Sequence, residues 1–232
     1  MPAHEQMLPY LEAAQILSSY DVPLAEAHLV QSAGEAAAAA EALGFPVALK
    51  AISPELTHKS DAGLVRLNLQ TAAAVAAAGS EMIARTEALE GLLVQRMIAG
   101  GVEVIIGIHT DPQFGPVIAL GAGGVLVELL EDVSLRLPPL TQREAAAMVR
   151  ETRVWRLLQG FRDRAPADVV ALEQLLVSIS NLVGEQGERI VALDLNPVMV
   201  LPAGQGVRVV DLRLTGRHAG RLLGMAASEG TV

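Results

Sequence analysis

The sequence predicts an α+β protein in which helices and strands are interspersed along the chain. Two observations carry this prediction. Segments with alternating apolar residues, such as residues 47–52 and 190–196, have the period of strands, and alanine-rich segments that begin after Ser or Thr have the composition and caps of helices. At 232 residues the chain can form one large domain or two smaller subdomains, with an aliphatic core because only 3% of its residues are aromatic.

The first hundred residues are predicted to alternate between helices and strands. Residues 5–20 carry apolar side chains near helical spacing, and Asp21-Val22-Pro23 ends this helix. Ser32 and Glu35 form a capping box for a second helix, which Gly44 ends near residue 43. The other predicted elements are strands at residues 47–52, 64–69 and 92–98 and a helix from Thr71 to near Gly91.

The C-terminal part begins after Gly100-Gly101, with predicted strands at residues 102–109 and 116–120 joined by a turn. Thr141 and Glu144 form a second capping box, which opens a helix to about residue 150, and residues 166–183 form a longer helix. Trp155, between these helices, could be a core anchor or part of a partner surface, and we favour the core. A hairpin of residues 190–201 and 206–212 follows.

Composition excludes several classes of protein. A net charge of −9 without a basic stripe argues against a nucleic-acid partner, and the absence of cysteine excludes disulfides, thiolate metal sites and a cysteine nucleophile. Residues 1–6 lack a leader pattern, and the longest apolar run, residues 112–127, is broken by glycine and proline and is shorter than the ~20 residues of a membrane helix. We therefore expect a soluble cytoplasmic protein with no membrane partner.

The chain contains two lysines, Lys50 and Lys59, among 17 basic residues. Alternation along residues 47–52 places Lys50 on the face opposite Val47, Leu49 and Ala51, where its ammonium can face a cleft while they pack. His58 follows beside Lys59. A surface lysine in front of a charged loop is the simpler interpretation of this stretch.

The predicted hairpin places oxygen-bearing side chains together. Asp194 and Asn196 share the face opposite Leu193 and Leu195. If Leu201 pairs with Gly206, Asn196 lies opposite Asp211 with Cβ atoms about 5 Å apart. Such a pair suits Mg²⁺, although a polar, solvent-facing hairpin is the alternative. A lysine, an imidazole and a Mg²⁺ site are what phosphoryl transfer needs.

Gly121-Ala122-Gly123-Gly124 follows a predicted strand and has two open interpretations. Its N–H groups could approach a phosphate, or it could form a tight turn between strands. It is not a P-loop, because no Gly-Lys-Ser/Thr follows. Among the remaining histidines, His109 beside Asp111 is a second choice for chemistry.

Five segments resemble one family. Pro46-Val47-Ala48-Leu49-Lys50, Thr57-His58-Lys59-Ser60-Asp61, Gln113-Phe114-Gly115-Pro116-Val117, residues 123–128 and Leu193-Asp194-Leu195-Asn196-Pro197 are similar, in order, to the ATP-grasp domain of ADP-forming acyl-CoA synthetases, in particular the β subunit of ADP-forming acetate–CoA ligase. The chain departs from the family pattern at Asp21 and Leu64, where a glycine is usual.

This resemblance implies an ATP-grasp fold of two α+β subdomains clasping a nucleotide, which we place at residues 1–95, with the N-terminal helix, and 96–232. It implies the reaction acyl-CoA + ADP + phosphate ⇌ acid + CoA + ATP, carried out with a CoA-binding α subunit in an expected heterotetramer. The partner passes a phosphoryl group to His58, which transfers it to ADP.

The resemblance also implies residue roles. Lys50 and Lys59 bind nucleotide phosphates, the backbone from Gln95 to Met97 receives adenine, and Glu103 binds the ribose. Asn196 and Asp211 hold Mg²⁺, and Asp194 orients the catalytic His58. Two other functions stay open: an ATP-grasp ligase that activates a carboxylate directly, and a non-catalytic nucleotide-sensing module.

Overall fold

The computed structural model describes residues 5–53, 64–86, 88–124, 132–160 and 165–217. The chain divides into two compact units, a smaller one of Ala25–Ala99 and a larger one formed by Met1–Leu24 together with Gly100–Val232. Each unit contains its own sheet and helices, which confirms the predicted α+β class. No helix within the described ranges is long and apolar enough to cross a membrane.

The smaller unit is a four-stranded antiparallel sheet covered by two helices. Its strands are β2 (Ala27–Val30), β3 (Val47–Ile52), β4 (Val65–Leu69) and β5 (Gly91–Arg96), in the spatial order β2-β5-β3-β4. The helices are α2 (Ala33–Leu43) and α3 (Ala72–Arg85). Alternate residues of β3 and β5 pack with Ala36 and Ala40 of α2 and Val75 and Met82 of α3 in one core. The other face of β3 therefore carries the even-numbered residues.

The larger unit is built on a seven-stranded antiparallel sheet. Its strands follow the spatial order β1-β11-β9-β6-β7-β8, with β10 paired to β9. The strands are β1 (Glu5–Met7), β6 (Val102–Asp111), β7 (Gly115–Ala122), β8 (Val133–Arg136), β9 (Ile190–Val200), β10 (Val207–Val209) and β11 (Leu212–Arg217).

The helices of the larger unit cover one face of that sheet. They are α1 (Tyr10–Ser19), α4 (Gln142–Glu151), α5 (Trp155–Leu158) and α6 (Val169–Gln186). Buried residues from these helices join alternate residues of the strands, such as Ile106 and Leu193, in a single core. Trp155 packs partly buried against this core, as predicted. The residues between the inward ones, including Asp194, lie on the opposite face.

The N-terminal segment differs from its prediction. Glu5–Met7 is a strand that pairs with β11, and the helix begins only at Tyr10, after Pro9. The sequence-based division assigned this helix to the first subdomain. In the structure α1 packs with the larger unit instead, because its inward residues Ala13, Ile16 and Leu17 are buried in that core.

Two helix termini also differ from the sequence interpretation. Helix α3 ends at Arg85, and Gly91 already belongs to β5. The predicted capping box at the start of α4 is complete, whereas the one at the start of α2 is only half formed. Ser32 Oγ accepts from the Glu35 N–H, but the Glu35 carboxylate accepts from the N–H of Gln31 instead of that of Ser32.

Asp21 occupies a backbone conformation that favours glycine. Its φ is +57°, in the left-handed region, where Asp and Asn are the side-chain-bearing residues best tolerated. The family pattern usually carries glycine at this position, and the geometry here explains that preference. The departure at Asp21 therefore leaves the turn after α1 intact.

Candidate functional site

Lys50 is a buried cation of the smaller unit. It is 4% exposed, and every residue of its strand is buried. Val47, Leu49 and Ala51 face the helices, so Lys50 lies on the other face, as alternation predicted. It pairs with Leu93 of β5 and Val65 of β4. The cross-strand register sets the position of its side chain.

Gln95 shares that face with Lys50. It pairs with Ala48, two residues from Lys50, which makes the two side chains diagonal neighbours at about 7–8 Å. Gln95 is 1% exposed. Lys50 and Gln95 are therefore two buried polar side chains on one side of the small sheet.

The backbone after Gln95 already forms hydrogen bonds within its own unit. The Arg96 N–H donates to the Glu26 carbonyl at 3.0 Å, and the Met97 N–H donates to the Pro46 carbonyl at 3.2 Å. These bonds fix the segment where adenine was expected. They also occupy two N–H groups, which leaves carbonyl oxygens and side chains as the groups able to recognise a base.

The expected phosphoryl carrier His58 and Lys59 lie outside the described residues. The described chain before them ends at Ser53, which is 4% exposed and directly follows β3. The strand that carries Lys50 therefore leads directly into the segment of His58.

The hairpin of β9 and β10, for which the sequence predicts a metal site, has the predicted register. Val200 pairs with Val207, and the Leu201 N–H donates to the Gly206 carbonyl at 3.0 Å. The same register continues to the Asn196 N–H, which donates to the Asp211 carbonyl at 3.2 Å. The amide of Asn196 and the carboxylate of Asp211 thus come from directly opposed residues, and one Asp211 carboxylate oxygen accepts from the Leu212 N–H at 3.0 Å.

Asp194 lies on the same exposed face of β9 as Asn196, between the buried Leu193 and Leu195. Its cross-strand neighbour on β11 is Arg213. Desolvation raises the pKa of the Asp194 carboxyl above its ordinary value; the guanidinium of Arg213 opposes this rise, and the charge of Asp211 adds to it.

Glu103 belongs to β6 and packs against the glycine segment. It pairs with Met199, three residues along β9 from Asn196, and is exposed. The Gly123 N–H donates to the Glu103 carbonyl at 2.9 Å. A Cβ on Gly123 would lie 2.9 Å from the Glu103 carbonyl carbon, and Gly124 has a φ of +61° with no space for a Cβ beside the Glu103 carboxylate.

The close contacts with Glu103 explain why residues 123 and 124 are glycines, without any need for a bound phosphate. Gly121 and Ala122 are part of β7, so the first half of the motif is strand and not a turn. Gly123 and Gly124 allow close approach to Glu103. Because a carboxylate repels phosphate, this end of the segment does not favour a phosphate cradle.

Asp168 connects α6 to the hairpin. Its Oδ1 accepts from the Ala171 N–H at 3.2 Å and caps the helix. Its Oδ2 accepts from the N–H groups of Gly204 and Gly206, at 2.9 and 2.8 Å. One carboxylate thus holds the turn whose register places Asn196 opposite Asp211. The sequence analysis did not identify Asp168 as a site residue. A capping pattern indicates the start of a helix, but it does not show that the same side chain also binds a turn more than thirty residues away.

Two more residues join the larger unit's candidate site. Arg213 lies on β11, two residues after Asp211, so sequence spacing could have found it. Tyr10, at the start of α1, had no local signal. Burial, with a contribution from the charge of Asp211, raises the pKa of the Tyr10 hydroxyl to about 12, so this hydroxyl stays protonated.

His109 has no comparable setting. It is exposed on β6, and the Asp111 carboxylate accepts from the N–H groups of Gln113 and Phe114 at 2.8 and 3.0 Å. These two bonds, more than His109, lower the pKa of Asp111. Asp111 stabilises the β6–β7 turn and does not form a catalytic pair with His109.

The donor set on the hairpin fits Mg²⁺. No group of three or more His, Asp or Glu side chains that could hold a metal occurs within the described ranges. Asn196 and Asp211 offer one amide and one carboxylate instead, and Mg²⁺ usually takes one or two carboxylates and completes its shell with water and substrate phosphates. A hard, oxygen-preferring ion bound together with a nucleotide therefore suits this pair.

Comparisons with known proteins identify a family for this chain. A family model described as ATP-grasp domain matches residues 1–215. The chain is 39% identical over 209 residues to subunit beta of ADP-forming acetate–CoA ligase II from Pyrococcus furiosus, a match that covers 88% of this chain and 89% of the relative. It is 42% identical over 209 residues to ADP-forming acetate–CoA ligase I from Archaeoglobus fulgidus, of which it spans only 30% of the length.

Solved structures of a Ca. Korarchaeum cryptofilum protein, dinucleotide forming acetyl-coenzyme A synthetase 1, are similar throughout. The complex with coenzyme A, Ca-AMPCP and HgCl⁺ has a TM-score of 0.85 and 41% identity, covering 91% of this chain and 94% of that one. The complex with coenzyme A and Mg-AMPPCP, whose phosphohistidine segment points towards the nucleotide binding site, has a TM-score of 0.79 and 40% identity, covering 91% and 93%.

Proposed function

This chain belongs to the ATP-grasp family, as the nucleotide-binding part of ADP-forming acyl-CoA synthetases, and we propose that it transfers a phosphoryl group between His58 and ADP. The observation that carries the proposal is the 39% identity with a β subunit of which 89% is covered. The overall reaction is acyl-CoA + ADP + phosphate ⇌ acid + CoA + ATP. It couples thioester cleavage to the formation of ATP.

The step assigned to this chain is a displacement at phosphorus. A terminal oxygen of ADP attacks the phosphoryl group on His58, the P–N bond breaks, and the electron pair returns to the imidazole nitrogen. Such a transfer depends on positioning and on charge stabilisation. Lys50 is suited to this role because its ammonium is desolvated, and electrostatic interactions are stronger where water is excluded.

We assign the phosphate and base contacts to the smaller unit and the ribose contact to the larger unit. Lys50 and Lys59 neutralise phosphates. The N–H groups of Arg96 and Met97 already have partners, so we assign base recognition to carbonyl oxygens from Gln95 to Met97. Glu103, exposed on β6, accepts hydrogen bonds from the ribose hydroxyls.

Asn196 and Asp211 hold the Mg²⁺, which supplies charge neutralisation at the transferred phosphoryl group. Asp194 acts on His58 as a positioning group that accepts an imidazole N–H hydrogen bond and so selects the tautomer. Arg213, its cross-strand neighbour, favours the ionised carboxylate that this role needs.

The remaining parts of the reaction are assigned to a partner. The relative from Pyrococcus furiosus is a subunit beta, which supports a CoA-binding α subunit for this chain, in a cytoplasmic heterotetramer. Alone, this chain should bind Mg²⁺ and ATP and make no acyl-CoA. Acyl-CoA formation by the rigorously purified single chain would contradict this assignment.

The first test is mass spectrometry of the purified chain after incubation with Mg²⁺ and ATP, with and without the partner, under alkaline conditions that preserve phosphohistidine. We expect a phosphoryl group on His58, its loss in His58→Ala, and its retention in the control His109→Ala. Unmodified His58 with ATP demonstrably bound would overturn the carrier role and favour direct carboxylate activation or nucleotide sensing.

The pH profile provides a second test of the carrier. His58 attacks phosphorus only through an unprotonated ring nitrogen, so ATP formation should fall as the pH drops below about 6.5, the ordinary pKa of histidine. The measurement is the pH dependence of the rate with saturating substrates. A rate that stays constant down to about pH 5 would argue against a histidine carrier.

A further inference from the structure

A cavity of about 300 Å³ lies in the larger unit between α6, the turn after α1 and the start of β10. One side is a single face of α6, with Gln174, Leu175 and Ser178 at helical spacing. Its volume is at the lower end of the range for small-molecule sites, about 300–1,000 Å³. The proposed phosphoryl transfer uses none of these residues.

The walls of the cavity are fixed by hydrogen bonds that two backbone N–H groups donate. The Val209 N–H donates to the Pro23 carbonyl at 2.8 Å, which joins the turn after α1 to β10. The Gly206 N–H donates to Asp168 at 2.8 Å, which joins the start of the hairpin's second strand to α6. Binding sites are usually preformed in this way, because a ligand then need not order the protein.

The cavity is lined by two opposite charges that do not pair with each other. Arg208 is half-buried, and its Nη1 donates to the Val207 carbonyl at 2.7 Å. Within the described ranges it forms no ion pair, and neither does Asp21. A guanidinium has five N–H donors in a planar fork, so Arg208 retains donors suited to a carboxylate.

We propose that this cavity binds a small α-amino acid. Arg208 binds its carboxylate and Asp21 its ammonium group, while the hydroxyl of Ser178 and the amide of Gln174 accept or donate further hydrogen bonds. Pro23 and Leu175 contact its side chain. A zwitterion fits better than an inorganic anion, because Asp21 would repel a ligand that carries only negative charge.

The test is a binding assay with the full chain and each common L-amino acid separately at millimolar concentration, first by thermal shift and then by ligand-observed NMR. Acetate and methylamine are the matched probes, since each carries only one of the two charged groups. The variants are Arg208→Gln and Asp21→Asn, in which asparagine tolerates the left-handed backbone. Arg143→Gln, on the exposed side of α4, is the control.

We expect at least one amino acid to bind, with affinity about tenfold or more weaker in both cavity variants and unchanged in Arg143→Gln. Ligand-free circular dichroism confirms that each variant is folded, and the NMR signal measures binding independently of stability. The proposal is overturned if no amino acid binds the wild type, if acetate binds as well as the amino acid, or if Asp21→Asn retains full affinity.

Discussion

The two units present their charged groups in opposite ways. In the smaller unit, Lys50 is 4% exposed on a strand whose residues are all buried. In the larger unit, Asp194 and Asn196 are exposed on β9, although the residues between them are in the core. Both strands alternate, but only one places its polar side chains in water.

The difference separates two kinds of electrostatic function. Removing an ammonium from water costs free energy unless anions or dipoles compensate, so a buried lysine depends on partners supplied by the fold or by a ligand. Oxygen donors on an exposed strand face keep more of their hydration than a buried ammonium, although desolvation still raises the pKa of Asp194. They suit an ion that arrives with a nucleotide and leaves with it.

Replacing the buried cation should have the largest effect. We expect Lys50→Met to lower kcat/KM for ATP formation about 100-fold or more, because a preorganised charge on the phosphates is lost. Lys50→Arg should fail almost as badly, since the longer, planar guanidinium does not fit a site that is 4% exposed. The measurement is steady-state kinetics of the assembled enzyme.

The matched control is Arg85→Gln, which removes a cation from the exposed last turn of α3 in the same unit. It should leave the rate unchanged. Wild-type activity in Lys50→Arg would show that the site around residue 50 does not select for lysine. It would contradict the contrast between a confined cation in the smaller unit and exposed donors in the larger one.

Replacing an oxygen donor of the hairpin should change the response to the metal. In Asp211→Asn we expect the Mg²⁺ concentration for half-maximal activity to rise about 10- to 100-fold, with partial rescue at high Mg²⁺. Asp111→Asn is the control, because it removes a carboxylate of the same sheet while keeping an oxygen that can accept the turn's hydrogen bonds. A Mg²⁺ dependence unchanged in Asp211→Asn would contradict the metal role.

Substitutions of Asp168 test whether the site formed by Asn196 and Asp211 depends on the turn that contains Gly204 and Gly206. Asp168→Ala removes the α6 cap and the acceptor of two turn N–H groups, so we expect a loss of about 1–2 kcal/mol in the free energy of unfolding. By loosening the hairpin it should also raise the Mg²⁺ concentration needed for half-maximal activity. Asp168→Asn, which keeps one acceptor oxygen, should lose less; equal losses in both variants would show that the two acceptors do not act separately.

The smallest expected effects are on stability and come from removing one helix N-cap in each unit. Thr141→Ala should cost about 1 kcal/mol of stability and Ser32→Ala about half of that, because only Thr141 belongs to a reciprocal box. Hydrogen exchange of α4 and α2 would locate each loss in its own unit. A larger loss in Ser32→Ala would contradict the ranking.

The cap of α4 also has a pH signature. Hydrogen bonds from the Thr141 N–H and hydroxyl lower the pKa of Glu144. A carboxyl with a lowered pKa in the folded state contributes stability above its unfolded pKa and loses it as the pH falls through the folded value. The difference between wild type and Glu144→Gln should therefore be present at neutral pH and shrink at pH values below about 4.

Local patterns were sufficient to predict much of the molecule. Alternation placed Lys50 on the face away from the core, and the turn before Gly206 set the register that opposes Asn196 to Asp211. Both depend on residues close in sequence. The α+β class and the family resemblance are likewise confirmed by the two sheets and by the match over residues 1–215.

Features that depend on distant pairing were not predictable. The N-terminal strand exists because Glu5 pairs with Arg217, and nothing near residue 5 indicates this. Glycines 123 and 124 resemble a phosphate loop until Glu103, twenty residues earlier, is found against them. The roles assigned to His58 and Lys59, which lie outside the described residues, stay predictions.

The pairing of β1 with β11 has a consequence for biosynthesis. Residues 25–99 leave the ribosome as one continuous segment, which can fold as soon as it emerges. The seven-stranded sheet uses strands from before and after that segment, so it cannot be completed until residue 217 is made. Until then the first strand lacks its neighbour. We therefore expect the smaller unit to fold before the larger one during synthesis. The risk of aggregation should be greatest while the strand edges of the larger unit are still unpaired.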